Sequence, residues 1–252
     1  MKIISVIPVN GRHSLVSFVV KRLVRQGVQV ICVGGQGDQE VCENAGAEFY
    51  YHINEPLGKK WNYGFQMAKS HNPDAVLLMG SSSLISDNYL SHMTPFLEDH
   101  HLVGKQQFNI LHLGERLEMV RWMHYPKEKY RLKHRLLPKG ERAFIKAGGR
   151  YIEPVGIGRL LRADFLDAID WKPYDDEAPS NLDYIMMCKL SDFHGSYMQV
   201  RDQHCQSLKI TSDKWGNLNS FEKYKTIKTV KEFIAPIEFL MVWFPDVLKL
   251  EL

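Results

Sequence analysis

The chain predicts an α/β protein built on a mixed, mostly parallel sheet flanked by helices. Three observations carry that expectation. Between residues 3 and 79, short apolar runs alternate with segments of helical period, the pattern of repeated βαβ units. Each run stops at a turn signal, Pro8 with Asn10-Gly11 or Gly34-Gly35. The run Asp74-Ala75-Val76-Leu77-Leu78-Met79 then feeds straight into Gly80-Ser81-Ser82-Ser83. Small and hydroxyl residues thus stand just beyond a strand's carboxyl end, where open α/β sheets keep their ligand-binding groups.

The elements follow in order. Ile3 to Pro8 is a buried strand, and Ser14 opens a helix with Leu15, Phe18, Val19, Leu23 and Val24 on one face, closed by Gly27. Val28 to Val33 is the second strand, Gln39 to Ala45 a short helix, and Glu48 to His52 the third strand. Lys59 to Ser70 is a helix and Ala75 to Met79 the fourth strand. After Pro95 the rhythm breaks, and Leu102 to Gly104 and Phe108 to Leu113 read as strands of an antiparallel continuation. Helices are expected from Arg162 to Ile169 and from Asn181 to Leu190. The tail from Ser220 to Leu252 has a helical pattern interrupted at Pro236 and Pro245.

At 252 residues, 44% hydrophobic and 24% charged, the chain suits one domain, 1–252, with a full core. Within it we expect a nucleotide-binding half (1–100), an acceptor or catalytic half (101–220) and a C-terminal helical tail (221–252). Net charge is only +3, so overall charge does not single out nucleic acid. The one asymmetry is segment 121–150, where ten Lys or Arg face only Glu128 and Glu141; it is either a solvated basic face or a cover for phosphates. Cys32, Cys42, Cys188 and Cys205 form no Cys-x-x-Cys pair, and Cys32 reads as a reduced core residue. The start Met1-Lys2-Ile3-Ile4 lacks a signal pattern, and no apolar run nears the roughly 18 residues a membrane span needs. A cytoplasmic protein is expected.

Three constellations carry chemistry. Pro8-Val9-Asn10-Gly11-Arg12 is a Gly-bearing turn that admits a planar base or ribose, with Arg12 able to meet phosphate; it is equally an ordinary strand-to-helix turn. Gly34-Gly35 repeats the theme after the second strand. Asn54-Glu55-Pro56-Leu57-Gly58-Lys59-Lys60-Trp61-Asn62-Tyr63-Gly64 starts a helix with two lysines. Lysine there opposes the helix dipole, which suits an anionic ligand better than a plain helix start.

These motifs, with Gly156-Ile157-Gly158-Arg159, Asp170-Trp171-Lys172-Pro173 and Asn181-Leu182-Asp183, resemble GT-A (Rossmann-like) glycosyltransferases related to family 2. The likeness is to small bacterial and phage members whose fourth strand ends in Gly-Ser-Asp-Asp, and it covers about residues 3 to 220. The resemblance implies a transferase using a nucleotide-diphospho-sugar, a UDP-sugar first, and a hydroxyl acceptor, with inversion. Carried over by position, Pro8, Asn10, Arg12 and Gly34 would flank the nucleoside. Lys59 and Asn62 would lie near base or phosphates, and Gly80, Ser81, Ser82 and Ser83 at the diphosphate. Gly156, Gly158 and Arg159 would border sugar and acceptor, Arg159 being grouped with the catalytic residues, and Asp183 would be the base. Asp175 and Asp176 are its reserves.

The departure is Ser81 to Ser83 where the family carries carboxylates. Mn²⁺ and Mg²⁺ want carboxylate oxygen, so three alternatives stand. Either basic side chains replace the metal, or Asp87, or Asp202 with His204, supplies ligands, or the chain binds without catalysing. A non-catalytic nucleotide-sugar or nucleic-acid module is therefore the rival, and a nucleotidyltransferase of related fold a weaker one. A hydroxylated base in phage DNA is one acceptor, with Trp122, Tyr125 and Tyr130 able to stack on it. The apolar tail, Phe233 to Phe244, either packs on the sheet or pairs two copies as a homodimer.

Overall fold

The computed structural model describes residues 1–123, 154–212, 221 and 231–250. Its main sheet has seven strands: β1 (Ile3–Pro8), β2 (Gln29–Gly34), β3 (Glu48–Tyr51), β4 (Ala75–Leu78), β6 (Leu102–Lys105), β9 (Arg159–Arg162) and β10 (Tyr197–Val200). They lie in the order β3-β2-β1-β4-β9-β6-β10. All pairings are parallel except those of β9, which is antiparallel to both β4 and β6. The expected α/β class with a mostly parallel sheet is what the chain adopts.

Both faces of this sheet are buried, which is why its strands are apolar at every position rather than alternately. On one face Ile7, Ala75, Leu77 and Leu160 meet Leu15, Val16, Val19 and Leu23 of α1 (His13–Arg25) and Cys42 of α2 (Gln39–Asn44). On the other, Ile4, Val6, Val76, Leu78 and Leu161 meet Phe65 and Ala68 of α3 (Leu57–Lys69). Phe165 of α5 (Ala163–Ala168) and Met186, Met187 and Leu190 of α6 (Leu182–Asp192) complete that layer. Each such buried side chain contributes roughly 1.5–3 kcal/mol of hydrophobic stabilisation.

A second, five-stranded sheet runs β12-β8-β7-β11-β5. It comprises β5 (Ser83–Ile85), β7 (Gln107–Leu113), β8 (Leu117–Met123), β11 (Ser207–Thr211) and β12 (Lys231–Phe233). Leu111, Met119, Leu208 and Ile210 join the main core, while Phe108, Ile110 and Val120 form a smaller cluster with Val155 on the other face. The short α4 (Tyr89–Met93) follows β5.

The structure corrects several local expectations. The serine run is not a loop throughout, since Ser83 begins β5. Arg162, expected to open a helix, ends β9 and caps α5 in an extended conformation. Helix α3 begins at Leu57, before the lysines. Within the described part of the tail, Lys231–Phe233 is the strand β12, and Pro236 opens α7 (Pro236–Trp243) instead of interrupting a helix. Proline suits a first helical turn because its missing N–H has no partner there anyway. In α7, Phe239 and Leu240 pack into the core, while Ile237, Met241 and Val242 are exposed. Among the described residues no helix is long and apolar enough to cross a membrane. None of the four cysteines is in a disulfide, and Cys32 is buried.

Candidate functional site

Strand β1 has β2 on one side and β4 on the other, so the chain order reverses there, the place beyond the carboxyl strand ends where open α/β sheets keep their ligand crevice. The loops after β1 and β2 form one wall. Asp38, buried in the turn before α2, accepts hydrogen bonds from the backbone N–H of Gly11 and of Gly35, each at 3.0 Å. Its Oδ1 also lies 3.0 Å from His13 Nε2. A Cβ on Gly34 would stand 2.8 Å from the Asp38 carboxylate, so Gly34 makes room for this clamp. Gly11 and Arg12 are both left-handed, at φ of 65° and 57°. For Arg12 that backbone costs about 1–2 kcal/mol. The turn leaves Asn10 exposed and Arg12 half-buried, with burial lowering the guanidinium pKa. Pro8 ends β1 opposite Val33.

The start of α3 sorts its residues differently from expectation. Lys59 is exposed, whereas Lys60 is buried. The Lys60 ammonium donates to the Val9 carbonyl and, at 3.1 Å, to Asn54 Oδ1. Burial pulls its pKa down to about 8 against the attraction of Asp38. Lys60 therefore supports the loop after β1 from beneath. Asn62 faces the other way: its amide donates to the Tyr174 carbonyl and to Asp176, each at 2.8 Å, and accepts from the Tyr174 N–H at 3.1 Å. Gly58 lies so close to the same loop that a Cβ would meet the Asp175 carbonyl at 2.0 Å. Asn62 thus holds the 174–176 loop rather than lining the crevice, and Asp176 is engaged by it. Asp175 pairs with Lys189 at 3.3 Å.

At the end of β4, Ser81, Ser82 and Ser83 are all buried, and the Ser83 N–H closes a turn onto the Gly80 carbonyl at 3.0 Å. Gly80 is the partly exposed member of the run. Across from the serines runs β11, with Lys209 the register partner of Ser83 and the Ile210 N–H bonded to the Ser82 carbonyl at 2.8 Å. Lys209 is partly accessible, yet burial lowers its pKa to about 8, with further lowering by Arg12 and opposition from Asp183.

The far wall comes from the antiparallel strand. Because β9 runs backwards, its entry lies at the carboxyl end of β4, where the Gly158 N–H bonds the Leu78 carbonyl at 3.0 Å. Gly158 has φ of 73°, and a Cβ there would meet the Tyr89 hydroxyl oxygen at 2.6 Å. Its role is steric, at the Tyr89 hydroxyl, which donates to its carbonyl at 3.0 Å. Gly156 touches the site itself: a Cβ would stand 2.9 and 3.0 Å from the two Asp183 carboxylate oxygens. Asp183 lies in the first turn of α6 with its side chain 37% exposed. Arg159 is 0% exposed, donates to the Pro154 carbonyl and places Nη1 3.4 Å from Asp183 Oδ1. Arg159, grouped with the catalytic residues in the sequence reading, thus lies buried beneath the Asp183 carboxylate. The buried Tyr174 hydroxyl is held protonated by desolvation, reinforced by the Asp183 charge.

The remaining candidates lie outside this constellation. Asp87 pairs with Arg22 at 2.7 Å and with Gln26 on the last turns of α1. Asp202 is occupied by Lys105, by His92 at 3.0 Å and by the His204 N–H at 3.0 Å. Among the described residues no three His, Cys, Asp or Glu side chains gather as a metal-ligand set. The basic segment beyond Met123, with Tyr125 and Tyr130, lies outside the described residues. Trp122 packs against Phe108 with ring centroids 5.2 Å apart.

Sequence reasoning passed over Asp38 and Lys209, and it weighed Lys60 only as one of two lysines at a helix start. Asp38 had a signal, an acid shortly after Gly34-Gly35 at a strand end. Lys209 had none, because its neighbours come from pairing across more than a hundred residues.

The fold defines an open α/β protein whose strand order reverses between β1 and β4. No family model matches the chain, and no curated protein is similar to it. Among solved structures it is similar to S. aureus TarS 1-349 in complex with UDP, at 16% identity and a TM-score of 0.47 over 84% of this chain and 61% of that one. It is also similar to the inositol-1-phosphate CTP transferase from T. maritima, at 14% identity and a TM-score of 0.48 over 89% and 94%. A third likeness is to A197 from STIV, at 10% identity and a TM-score of 0.43 over 82% and 84%. The chain spans about three fifths of the TarS 1-349 chain. Likeness at this level concerns the course of the chain and assigns no activity.

Proposed function

We propose that the protein transfers a sugar from a nucleotide-diphospho-sugar, a UDP-sugar first, to a hydroxyl acceptor. The observation that carries this is Asp183, a half-exposed carboxylate seated on Gly156 and steadied by buried Arg159. Gly156 lies at the entry to β9, where the Gly158 N–H bonds the Leu78 carbonyl at the end of β4. In this reading the nucleoside lies against the loops after β1 and β2, with the diphosphate at Gly80. Asp183 takes the proton from the acceptor hydroxyl as its oxygen bonds to the anomeric carbon. The bond from that carbon to the β-phosphate oxygen breaks, and the nucleoside diphosphate leaves with its electron pair. One displacement of this kind inverts the anomeric centre.

The residues after β4 do not fit the hard divalent cation that the resemblance implies. Their oxygens are serine hydroxyls rather than carboxylates, and Lys209 is the register partner of Ser83. We therefore route no step through a metal.

The test is a screen of UDP-, GDP- and TDP-sugars for binding and for release of nucleoside diphosphate with simple hydroxyl acceptors. Binding to the wild type with turnover lost in Asp183→Asn is the expected result. Binding with no turnover on any acceptor would favour a non-catalytic binding module, and no binding would end the transferase reading.

A further inference from the structure

One backbone oxygen joins α3 to α6. The Tyr174 carbonyl accepts a hydrogen bond from Asn62 Nδ2 on α3 at 2.8 Å and another from Lys189 Nζ on α6 at 2.9 Å. Helix α6 carries Asp183 in its first turn. Asn62, 2% exposed, also accepts the Tyr174 N–H at 3.1 Å, so one side chain takes both polar groups of a residue 112 positions away. Its second amide hydrogen goes to Asp176 at 2.8 Å. Lys189 returns to the same loop at the Lys172 carbonyl, 2.8 Å away, and at the Asp175 carboxylate, 3.3 Å away.

The first turn of α3 completes the joint. The Gly58 and Lys59 N–H groups donate to the Ala178 carbonyl at 2.9 Å and the Asp176 carbonyl at 3.1 Å. Two donors that a helix start could offer to an anion are therefore taken by the chain itself. Lys60 of the same turn grips the Val9 carbonyl and Asn54. Asp183 follows Ala178 by only five positions.

We infer that Asn62 is a positioning residue for Asp183: by holding the Tyr174 peptide it fixes the 174–178 loop and α6, and with them the direction of the carboxylate. This deepens the transferase reading and rests on it. A base takes a proton only within hydrogen-bond reach, and misplacing a reacting group by about 1 Å can cost on the order of 100-fold. The link to the loop after β1 runs through Lys60, so losing the Asn62 amide spares donor binding and strikes turnover.

Release of nucleoside diphosphate from UDP-, GDP- and TDP-sugars, with glycerol as acceptor, tests the inference on the full chain. Asn62→Ala is expected to lower kcat about 10- to 100-fold and to leave the donor KM within a few-fold. Asn62→Asp sets a carboxylate against the Tyr174 carbonyl and Asp176 and is expected to do the same. Adding Asp176→Asn gives that carboxylate a donor again and is expected to recover most of the lost kcat. Melting curves check folding, and Lys189→Met frees the same carbonyl oxygen from the α6 side and is expected to show the same split. If Asn62→Ala and Lys189→Met turn over as the wild type does, or lose kcat and donor KM alike, the inference falls and the transferase reading stands. Failure of Asp176→Asn to restore kcat overturns it equally. If the wild type releases no nucleoside diphosphate from any donor, the transferase reading falls and takes the inference with it.

Discussion

Arg159 is wholly buried and holds its guanidinium 3.4 Å from the half-exposed carboxylate of Asp183. The relationship divides labour: the arginine is anchored on the Pro154 carbonyl below, and the carboxylate above keeps one side open to the crevice. Asp183→Asn should lower kcat about 10²- to 10⁴-fold, the usual worth of a positioned general base, while donor affinity measured by calorimetry changes little. An equal loss of affinity would place Asp183 among the donor contacts instead.

Gly156 and Gly158 are near neighbours with different consequences when given a side chain. A methyl on Gly156 pushes against the Asp183 oxygens at 2.9 and 3.0 Å. Gly156→Ala should therefore cost turnover while the melting temperature moves little. Gly158→Ala meets a φ of 73° and the Tyr89 hydroxyl oxygen at 2.6 Å. It should destabilise by about 2–4 kcal/mol from backbone and crowding, a drop of roughly 5–10 °C in Tm. Paired thermal and kinetic assays separate the two.

Ser83→Asp tests whether a metal site can be rebuilt. The new carboxylate would face Lys209 across the β5–β11 pair, so it should pair with the lysine and weaken UDP binding. Mn²⁺ should rescue it only when Lys209→Met is added. Rescue of the single variant by Mn²⁺ would contradict that order of events.

Binding should depend on pH near 8. The Lys209 pKa is lowered to about 8, by burial first and then by Arg12, with Asp183 opposing. Lysine is charged below its pKa, so an anionic ligand at the end of β4 meets a full charge below about pH 8 and a diminishing one above it. Affinity for UDP should fall as pH rises through about 8, while in Lys209→Arg it should stay level. Lys60 also titrates near 8 but is directed at the Val9 carbonyl and Asn54, and the arginine variant distinguishes the two. The linkage to folding has the opposite sign. A lysine whose folded pKa lies below its unfolded value leaves the folded state with fewer protons between about 8 and 10.4. Stability therefore gains from these two residues as pH rises through that window.

Arg22, 2% exposed on α1, ties down the chain's far end by pairing with Asp246 while its guanidinium carbon lies 5.2 Å from the Phe244 ring centre. It also holds Asp87 at 2.7 Å and the Ile85 carbonyl at 3.2 Å. Arg22→Met leaves Asp246 without that partner and should cost about 3 kcal/mol, with proteolysis opening first in the tail after Ala235.

Much of the fold was legible in order. Strands β1 to β4 lie within a residue or two of their expected bounds because an apolar run between turn signals is local information. The strand ends that border the candidate site followed from the same runs, since Asn10-Gly11-Arg12, Gly34-Gly35 and Gly80 to Ser83 all stand there. Tertiary structure alone decided which side chains occupy it. Lys60 is buried and Lys59 exposed because one helix position turns a side chain by about 100°. Asn62 clamps a loop more than a hundred residues away, and Lys209 reaches the end of β4 only because β11 pairs with β5. Periodicity encodes which face of an element is buried, but the partner across that face is set by packing between distant segments, and no window of sequence contains both.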